Sequence, residues 1–596
     1  MTEFRLRWDF KMQFEANEPV SGGRKRERLV LRRAGFLAAM VAVGAAVSGN
    51  AQNAAGSLQD RIARALIAHG DTPAQTEPSM AREKALELEG MSAAWYNTAN
   101  GDDFRYVKRA VDAYLEASQN NQGVTGPDAA MGAPVLLMYR VTLQPKYYEA
   151  ALVLRAEAAA HCGAKTAGSV VACPDAPFLA EYASVFQDPA AFKAITHALL
   201  EWDEAGKRPA NASGQSPDSR DGLAREAEAI VDALPFYPEI DPGRRELIRI
   251  LSRIVARSQG TVEPRSHADD CLLLYARMKG ARLSYLPTAE LAHAERDWDV
   301  LQRSLVKANA PENVDLDGSS SALLLAATEA EHAATATVAR GKTALVDAWF
   351  NSQERKNAAG QMESFHYKWT DMADSGYALL GHMLRSYGMK TATLDAAPTA
   401  ENLRSADYYF IASPDIPIKN PNPHYMTDAD AAAIAAWVKQ GGVLVMMEND
   451  PPNADIDHLN LLADRFGIHF DNVLHHHILG EHVEDGTIPV APGGALFQHA
   501  HTLYMKDTCA ISLHGSGQAL LSDRGDIVMA AEKYGRGTVF ATVDPWVYNE
   551  YTDGRKNPQI YGQFDNFAGG LEFVQWLAHQ SRHASTVTGT RQRREP

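Results

Sequence analysis

The chain has 596 residues, 45% of them hydrophobic and 22% charged, and a formal net charge of −16 at pH 7. That length can fill several cores, which argues for at least two domains, and the acidic balance without a Lys/Arg-rich stripe in the mature region argues against a nucleic-acid surface, where phosphates must be neutralised by clustered cations. The expected partner is a small molecule or a glycan. Four cysteines (Cys162, Cys173, Cys271, Cys509) are too few for a disulfide scaffold and lack the paired spacing of a zinc knuckle. Cys162 and Cys173 either pair across a short loop in an exported protein or remain two buried thiols.

At the N-terminus, RKRERLVLRR (24–33) is cationic, AGFLAAMVAVGAAV (34–47) is apolar but too short to span a bilayer, and Gly49-Asn50-Ala51 offers small residues for cleavage. A signal peptide over 1–51 is expected, with a periplasmic or secreted product and no membrane attachment after cleavage. Arg32-Arg33 allows a twin-arginine route. Translation from Met12 would shorten the long leader.

From Arg61 to His332 apolar residues recur every three or four positions, and a stop and restart at Asn100-Gly101-Asp102 marks a helical hairpin. The same scheme returns in APVLLMYRVTLQPKYYEAALVLRAEA, APFLAEYASVFQDPAAFKAITHALLEW, REAEAIVDALPFYPEIDPGRRELIRILSRIV and the segment from His267 to Val306. Repeated hairpins without strand signals predict a solenoid or closed toroid of helix pairs over 58–335. After Gly341 the period changes. TALVDAWF, TATLD, DYYFIAS, VLVMMEND, DIVMAAEKY and GTVFATVD read as strands, with helices such as DSGYALLGHMLRSYG and TDADAAAIAAWVKQGG between them. A parallel α/β sheet with helices on both faces is expected over 342–582, ARGKTA reads as a linker, and 583–596 reads as a disordered tail.

The blocks MSAAWYNTANGDDFRYVKRAVDAYLEA, MGAPVLLMYRVTLQPKYYEAALVLR, APFLAEYASVFQDPAAF, DALPFYPEIDPGRRELI, LLLYARMKGARLSYLP and LLLAATEAE resemble, in the same order, the unsaturated rhamnogalacturonyl hydrolases of glycoside hydrolase families 88 and 105. The region after them resembles a glutamine-amidotransferase-like domain of flavodoxin topology. The resemblance implies an (α/α)6 toroid that removes unsaturated uronic acid from pectin-derived oligosaccharides. In that reaction an aspartic acid protonates the C4=C5 enol ether and water adds at C5. The physical demand is a carboxyl group kept protonated by burial or by a neighbouring negative charge.

Asp175 and Asp128 are the candidate acids. Asp175 stands several residues later than the family's Trp-Leu-Asp-Gly-Leu-Tyr-Met run, which is missing ahead of Pro177-Phe178. Asp128, in GPDAAMGAPVLLMY, matches the family's second acidic residue within one position; as an N-cap it would serve the helix beginning near Met131. Trp95, Trp202 and Asp203 are the candidate sugar contacts. The Trp-Asp-Glu core at 202–204 keeps part of a His-Gly-Trp-Asp-Glu-Ser run and loses its histidine, and aromatics expected in SGQSPDSRDG are absent.

In the C-terminal half, Glu448 and Asp450 follow one strand, Asp544 and Trp546 another, and Asp415 and His424 a third. Ligands of open α/β sheets gather at such strand ends, so these six residues outline a crevice suited to a carbohydrate; N-caps and loop hydrogen bonds are the alternative. No Gly-x-Cys-x-Gly elbow is present, which leaves amidotransferase chemistry without a nucleophile. His475-His476-His477 is expected to be a solvated loop without a tight metal, because adjacent side chains diverge. No cofactor is expected. Two functions are compatible with these residues: a glycoside hydrolase of the unsaturated uronyl type, or a non-catalytic carbohydrate-binding or protein-interaction protein on the same folds.

Overall fold

The computed structural model describes residues 57–69, 78–119, 128–163, 172–205, 219–258, 266–305, 320–480, 482–548 and 564–580. The expected signal peptide and the expected tail after 583 lie outside these residues. Among the described residues twelve α-helices come first: α1 (Leu58–His69), α2 (Pro78–Thr98), α3 (Gly101–Gln119), α4 (Gly132–Thr142), α5 (Pro145–His161), α6 (Ala176–Val185), α7 (Pro189–Ala205), α8 (Arg220–Ala233), α9 (Pro242–Ser258), α10 (His267–Arg282), α11 (Thr288–Leu305) and α12 (Ser320–Thr335). No helix among the described residues is long and apolar enough to cross a membrane.

The break expected near Asn100 is formed by Ala99, whose φ of 49° ends α2 in the left-handed region, and by Asn100, whose side chain accepts from the Asp102 amide at 3.0 Å. Even-numbered helices contact one another in a cycle, α2 to α4 to α6 to α8 to α10 to α12 and back to α2, while each odd-numbered helix packs outside a neighbour. This is a closed toroid of six inner and six outer helices. Residue burial shows why each helix takes its layer. In α9 the buried positions Leu247, Ile250, Leu251, Ile254 and Val255 form one stripe, as an outer helix requires, whereas in α12 every residue from Ser320 to Glu329 is buried. Gly132 lets α4 approach α6, since a Cβ there would stand 2.2 Å from the Phe178 ring.

The second half holds β1 (Thr343–Asp347), β2 (Glu354–Lys356), β3 (Met362–Ser364), α13 (Ala378–Ser386), β4 (Lys390–Leu394), β5 (Tyr408–Ala412), α14 (Asp428–Lys439), β6 (Val443–Met447), α15 (Ile456–Ala463), β7 (Ile468–His475), β8 (Thr487–Val490), β9 (His501–Tyr504), β10 (Thr508–Leu513), β11 (Gln518–Asp523), β12 (Asp526–Tyr534), β13 (Gly537–Thr542) and α16 (Asn566–Gln580). The main sheet runs β4-β1-β5-β6-β13-β12-β10-β7, with β11 on β12. Its first five strands are parallel, and numbered among themselves they lie in the order 2-1-3-4-5. β5, β6 and β13 are buried throughout, which accounts for their unbroken apolar runs.

DIVMAAEKY belongs to no parallel unit: β12 pairs antiparallel with both β13 and β11, so the sheet is mixed. Only Gly535 and Arg536 separate β12 from β13, a two-residue connection that can join antiparallel strands and cannot carry a crossover. Gly535 makes the turn with φ of 61°, and a Cβ there would press on the Lys439 backbone at 2.7 Å.

The two halves lie in one compact unit. The segment read as a linker is packed: Ala339 and Ala344 are buried, and the Ala339 amide donates to the Tyr387 carbonyl at 2.8 Å. The β2–β3 hairpin and α13 cover the C-terminal ends of inner helices. Gln361 donates to the Phe186 carbonyl at 2.8 Å, Arg140 to the Thr370 carbonyl at 2.8 Å, and His332 meets His382 at 2.7 Å.

Candidate functional site

Charge enters the toroid axis on the inward stripes of three inner helices. Glu228 and Asp232 stand four residues apart on α8, Tyr275 and Lys279 four apart on α10, and Glu89 comes from α2, so all five turn inward from three inner helices. The carboxylate oxygens of Glu89, Glu228 and Asp232 lie within 4.8 Å of one another. Asp232 is held by the Tyr275 hydroxyl at 2.8 Å and by Lys279 at 2.5 Å. Glu89 and Glu228 are both pushed above the ordinary carboxyl range, first by burial and then by neighbouring negative charge, with Arg82 and Lys279 opposing. Burial and neighbouring charge thus favour the protonated form of Glu89 and of Glu228.

The cluster separates two cavities. A small one of about 40 Å³ is lined by Arg82, Asp175, Arg225 and Glu228; a large one of about 930 Å³ is lined by Asp232, Tyr275, Lys279 and, from the α/β half, Arg355, Trp369 and His382. Glu89 faces both. The large cavity therefore has one wall from the toroid and one from the α/β half, which neither half's pattern of residues anticipates. These three carboxylates are also where the chain could hold a cation, although Lys279 already supplies a positive charge to Asp232.

Asp175 lies in the turn ahead of α6, two residues after Cys173, and the Cys162–Cys173 disulfide ties that turn to the end of α5. Its buried carboxylate is paired with Arg82 at 2.9 Å. Burial pushes the group up, Arg82 pulls it down, and the charge of Asp128 pushes it up again. Asp128 lies close enough to be felt by Asp175, and its side chain accepts from the Ala130 amide at 3.0 Å, capping a short 3-10 turn ahead of α4. Both residues stand at the N-terminal ends of inner helices. Neither shares the triple carboxyl contact.

Trp95, Trp202 and Asp203 take structural places and line neither cavity. Trp95 is fully buried against Tyr96 and Phe104, with ring centroids at 4.6 and 5.2 Å. Asp203, on α7, is paired with Arg253 and, at 3.7 Å, with Arg257, both of α9, so it joins two outer helices beside the buried Trp202.

In the α/β half the strand ends bring Glu448, Asp450, Asp544 and Trp546 around Tyr367, and Lys419 adds Asp415 to the same electrostatic neighbourhood. Burial first pushes Glu448 up to about 8 and Asp544 up to about 7. His424 instead stacks on Trp349 at 3.6 Å and meets its carbonyl at 3.0 Å. The three adjacent histidines diverge to three aspartates: His475 to Asp526 at 2.6 Å, His476 to Asp523 at 3.0 Å and His477 to Asp507 at 2.8 Å. They depart from the expected solvated loop, because His475 closes β7 and His476 is buried.

The sequence reading missed Glu89, Glu228 and Asp232. A signal was present: two acids at i, i+4 on α8, with Arg225 one turn before the first of them, on a helix whose buried positions are mostly Ala, Leu, Ile and Val.

No family model matches the chain, and no curated relative does. Among solved structures it is similar to a family 105 glycoside hydrolase of C. acetobutylicum (17% identity over 46% of this chain and 99% of that one, TM-score 0.38). It is also similar to a family 88 glycosyl hydrolase from Bacteroides vulgatus (14% identity, 46% and 96%, TM-score 0.38). A third is an α-1,6-mannanase of Salegentibacter (12% identity, 42% and 88%, TM-score 0.34).

Proposed function

We propose that the chain is a glycoside hydrolase that removes a terminal unsaturated uronic acid from pectin-derived oligosaccharides, with its acid supplied from the Glu89–Glu228–Asp232 cluster. The observation that carries this reading is the meeting of three carboxyl groups within 4.8 Å, two of them pushed toward the protonated form by burial, on the axis of a closed helix ring with a cavity on either side. The reaction asks for such groups. A proton passes from a carboxylic acid to C4 of the enol ether, water adds at C5 as its proton returns to a carboxylate, and the resulting hemiketal opens to release the neighbouring sugar. Lys279, Arg82 and Arg225 lie close enough to the cavities to offset a uronate's charge. Asp128 and Asp175, the acids implied by the sequence resemblance, would then support the opposite mouth of the ring.

A second reading, a carbohydrate-binding protein without catalysis, is favoured by one observation: the two aspartates of the resemblance are engaged by Arg82 and by a capping amide. We further propose a division into a toroid over 58–335 and a flavodoxin-like, amidotransferase-like unit over 342–582, which the 2-1-3-4-5 order of the parallel strands supports. Export to an oxidising compartment is supported by the Cys162–Cys173 disulfide.

The test is loss of the ultraviolet enol-ether absorbance when the full chain meets an unsaturated rhamnogalacturonan disaccharide. Turnover by wild type with a loss of about 100-fold or more in Glu228→Gln supports the hydrolase. Turnover unaffected by Glu89→Gln and Glu228→Gln but abolished by Asp175→Asn returns the acid to the turn before α6. An inert wild type that still binds the disaccharide leaves the second reading.

A further inference from the structure

Buried polar atoms near the carboxyl ends of the parallel strands have nothing to bond, among them one on Glu448, one on Tyr367 and Oγ1 of Thr542. Glu448, directly after β6, is fully buried, and its Oε1 accepts from the Asn449 amide at 2.9 Å while its Oε2 has no partner. Tyr367, 1% exposed, has no partner for its hydroxyl; Ser413 lies beside it without reaching hydrogen-bond geometry. A buried polar atom left unbonded is costly, so such atoms gathered in one place call for an absent partner. The backbone points to the same spot. Ser413, His366 and Tyr367 hold φ values of 44°, 66° and 56°, a left-handed conformation that side-chain-bearing residues adopt at a cost. Asp371 holds that arrangement, accepting from the His366 amide at 3.1 Å and the Ala373 amide at 3.0 Å.

We propose that the ends of β5, β6 and β13 form a binding site for a neutral, polyhydroxylated ligand the size of one sugar ring, with Glu448, Tyr367 and Lys419 as its hydrogen-bonding groups and Trp546 as a wall. The site stands independently of the toroid reading. Neutrality is set by the groups present: Asp415 and Asp450 disfavour an anion, and Lys419, which donates to the Asn453 carbonyl at 2.6 Å, already occupies the place of a cation among them. Hydroxyl groups, which both donate and accept, suit an acid, a phenol and an ammonium together. Adjacent strands lie about 4.8 Å apart, so three strand ends span about 10 Å, the scale of a single ring with its hydroxyls. His366 stacks on Tyr367 at 4.1 Å, and Trp546, only part-buried, meets the Tyr367 ring edge to face at 6.4 Å, so the Trp546 ring is the apolar face that a sugar would pack on.

The experiment is titration calorimetry of the full chain with galactose, rhamnose and arabinose, with galacturonate as the anionic comparator. One neutral sugar is expected to bind at one site, more tightly than galacturonate, with about tenfold weaker binding to Glu448→Gln and to Tyr367→Phe. Melting of ligand-free Tyr367→Phe is the second measurement: an unbonded hydroxyl predicts an unchanged or higher melting temperature. The proposal is overturned if no neutral sugar binds, if galacturonate binds better, if both variants bind as wild type does, or if ligand-free Tyr367→Phe melts lower. Glu228→Gln separates the sites, because loss of binding in that variant would locate the sugar in the toroid and overturn the assignment as well.

Discussion

Asp175 and Arg82 meet at 2.9 Å, carboxylate to guanidinium, so the turn before α6 is tied to the start of α2 across the mouth of the ring. Arg82→Ala leaves a buried carboxylate without its cation. The expected cost is about 2 kcal/mol, smaller than for a fully enclosed pair because the Arg82 side chain is 35% exposed. Chemical denaturation checks this, and Arg82→Ala with Asp175→Asn together should lose less than the sum of the two single variants.

The axial carboxyls make a pH prediction. Glu89 and Glu228 are raised above the ordinary value of 4.5, so the folded chain binds protons there that the unfolded chain has released. Their contribution to stability is therefore present at low pH and is lost as pH rises from the unfolded value through the folded one. Glu228→Gln mimics the protonated form. Its melting temperature should exceed that of wild type at pH about 9 and converge with it near pH about 5, while any hydrolase activity falls.

His332 and His382 predict the opposite slope. Their ring nitrogens meet at 2.7 Å between α12 and α13, and both are depressed below 6.5 by burial, with Arg282 and Lys279 facing both and Arg385 facing His382. Glu329 favours protonation of His332. The unfolded chain takes up protons on acidification while the folded pair resists, so stability present above pH about 6.5 is lost below it. Melting followed from pH about 7 to about 5 should fall less steeply in His382→Gln than in wild type.

The Cys162–Cys173 bond closes a short loop, with an 11-residue separation, that holds the Asp175 turn against α5. Reduction, or Cys162→Ser with Cys173→Ser, should destabilise the toroid by about 3 kcal/mol on the chain-entropy account. Denaturation with and without reductant reads this directly. Hydrogen exchange should show the added opening concentrated in α5 and α6.

Much of the scaffold was legible from local pattern. The change from a three-to-four spacing to short β-branched runs separates α12 from β1, and Thr427 with Asp430 completes the capping box that starts α14. The strand ends carrying Glu448 and Asp544 could be read because a buried parallel strand shows as an unbroken apolar run, and the first polar residues after it mark where the strand stops. The pairing of β12 was open to reading from its two-residue link to β13, and the parallel expectation passed over that link.

What the sequence determined by itself was local: where helices start and stop, which are apolar on one stripe or on all sides, and where strands end in polar residues. These depend on neighbours within a few positions, so spacing records them. The tertiary structure decided what stands against what. Glu89 and Asp232 are 143 positions apart and meet only because the ring closes α2 through α12 onto the axis, and Tyr367 finds Glu448 only because three strands align. Such encounters raise a carboxyl pKa or strand a hydroxyl through burial and proximity, neither of which a linear pattern carries.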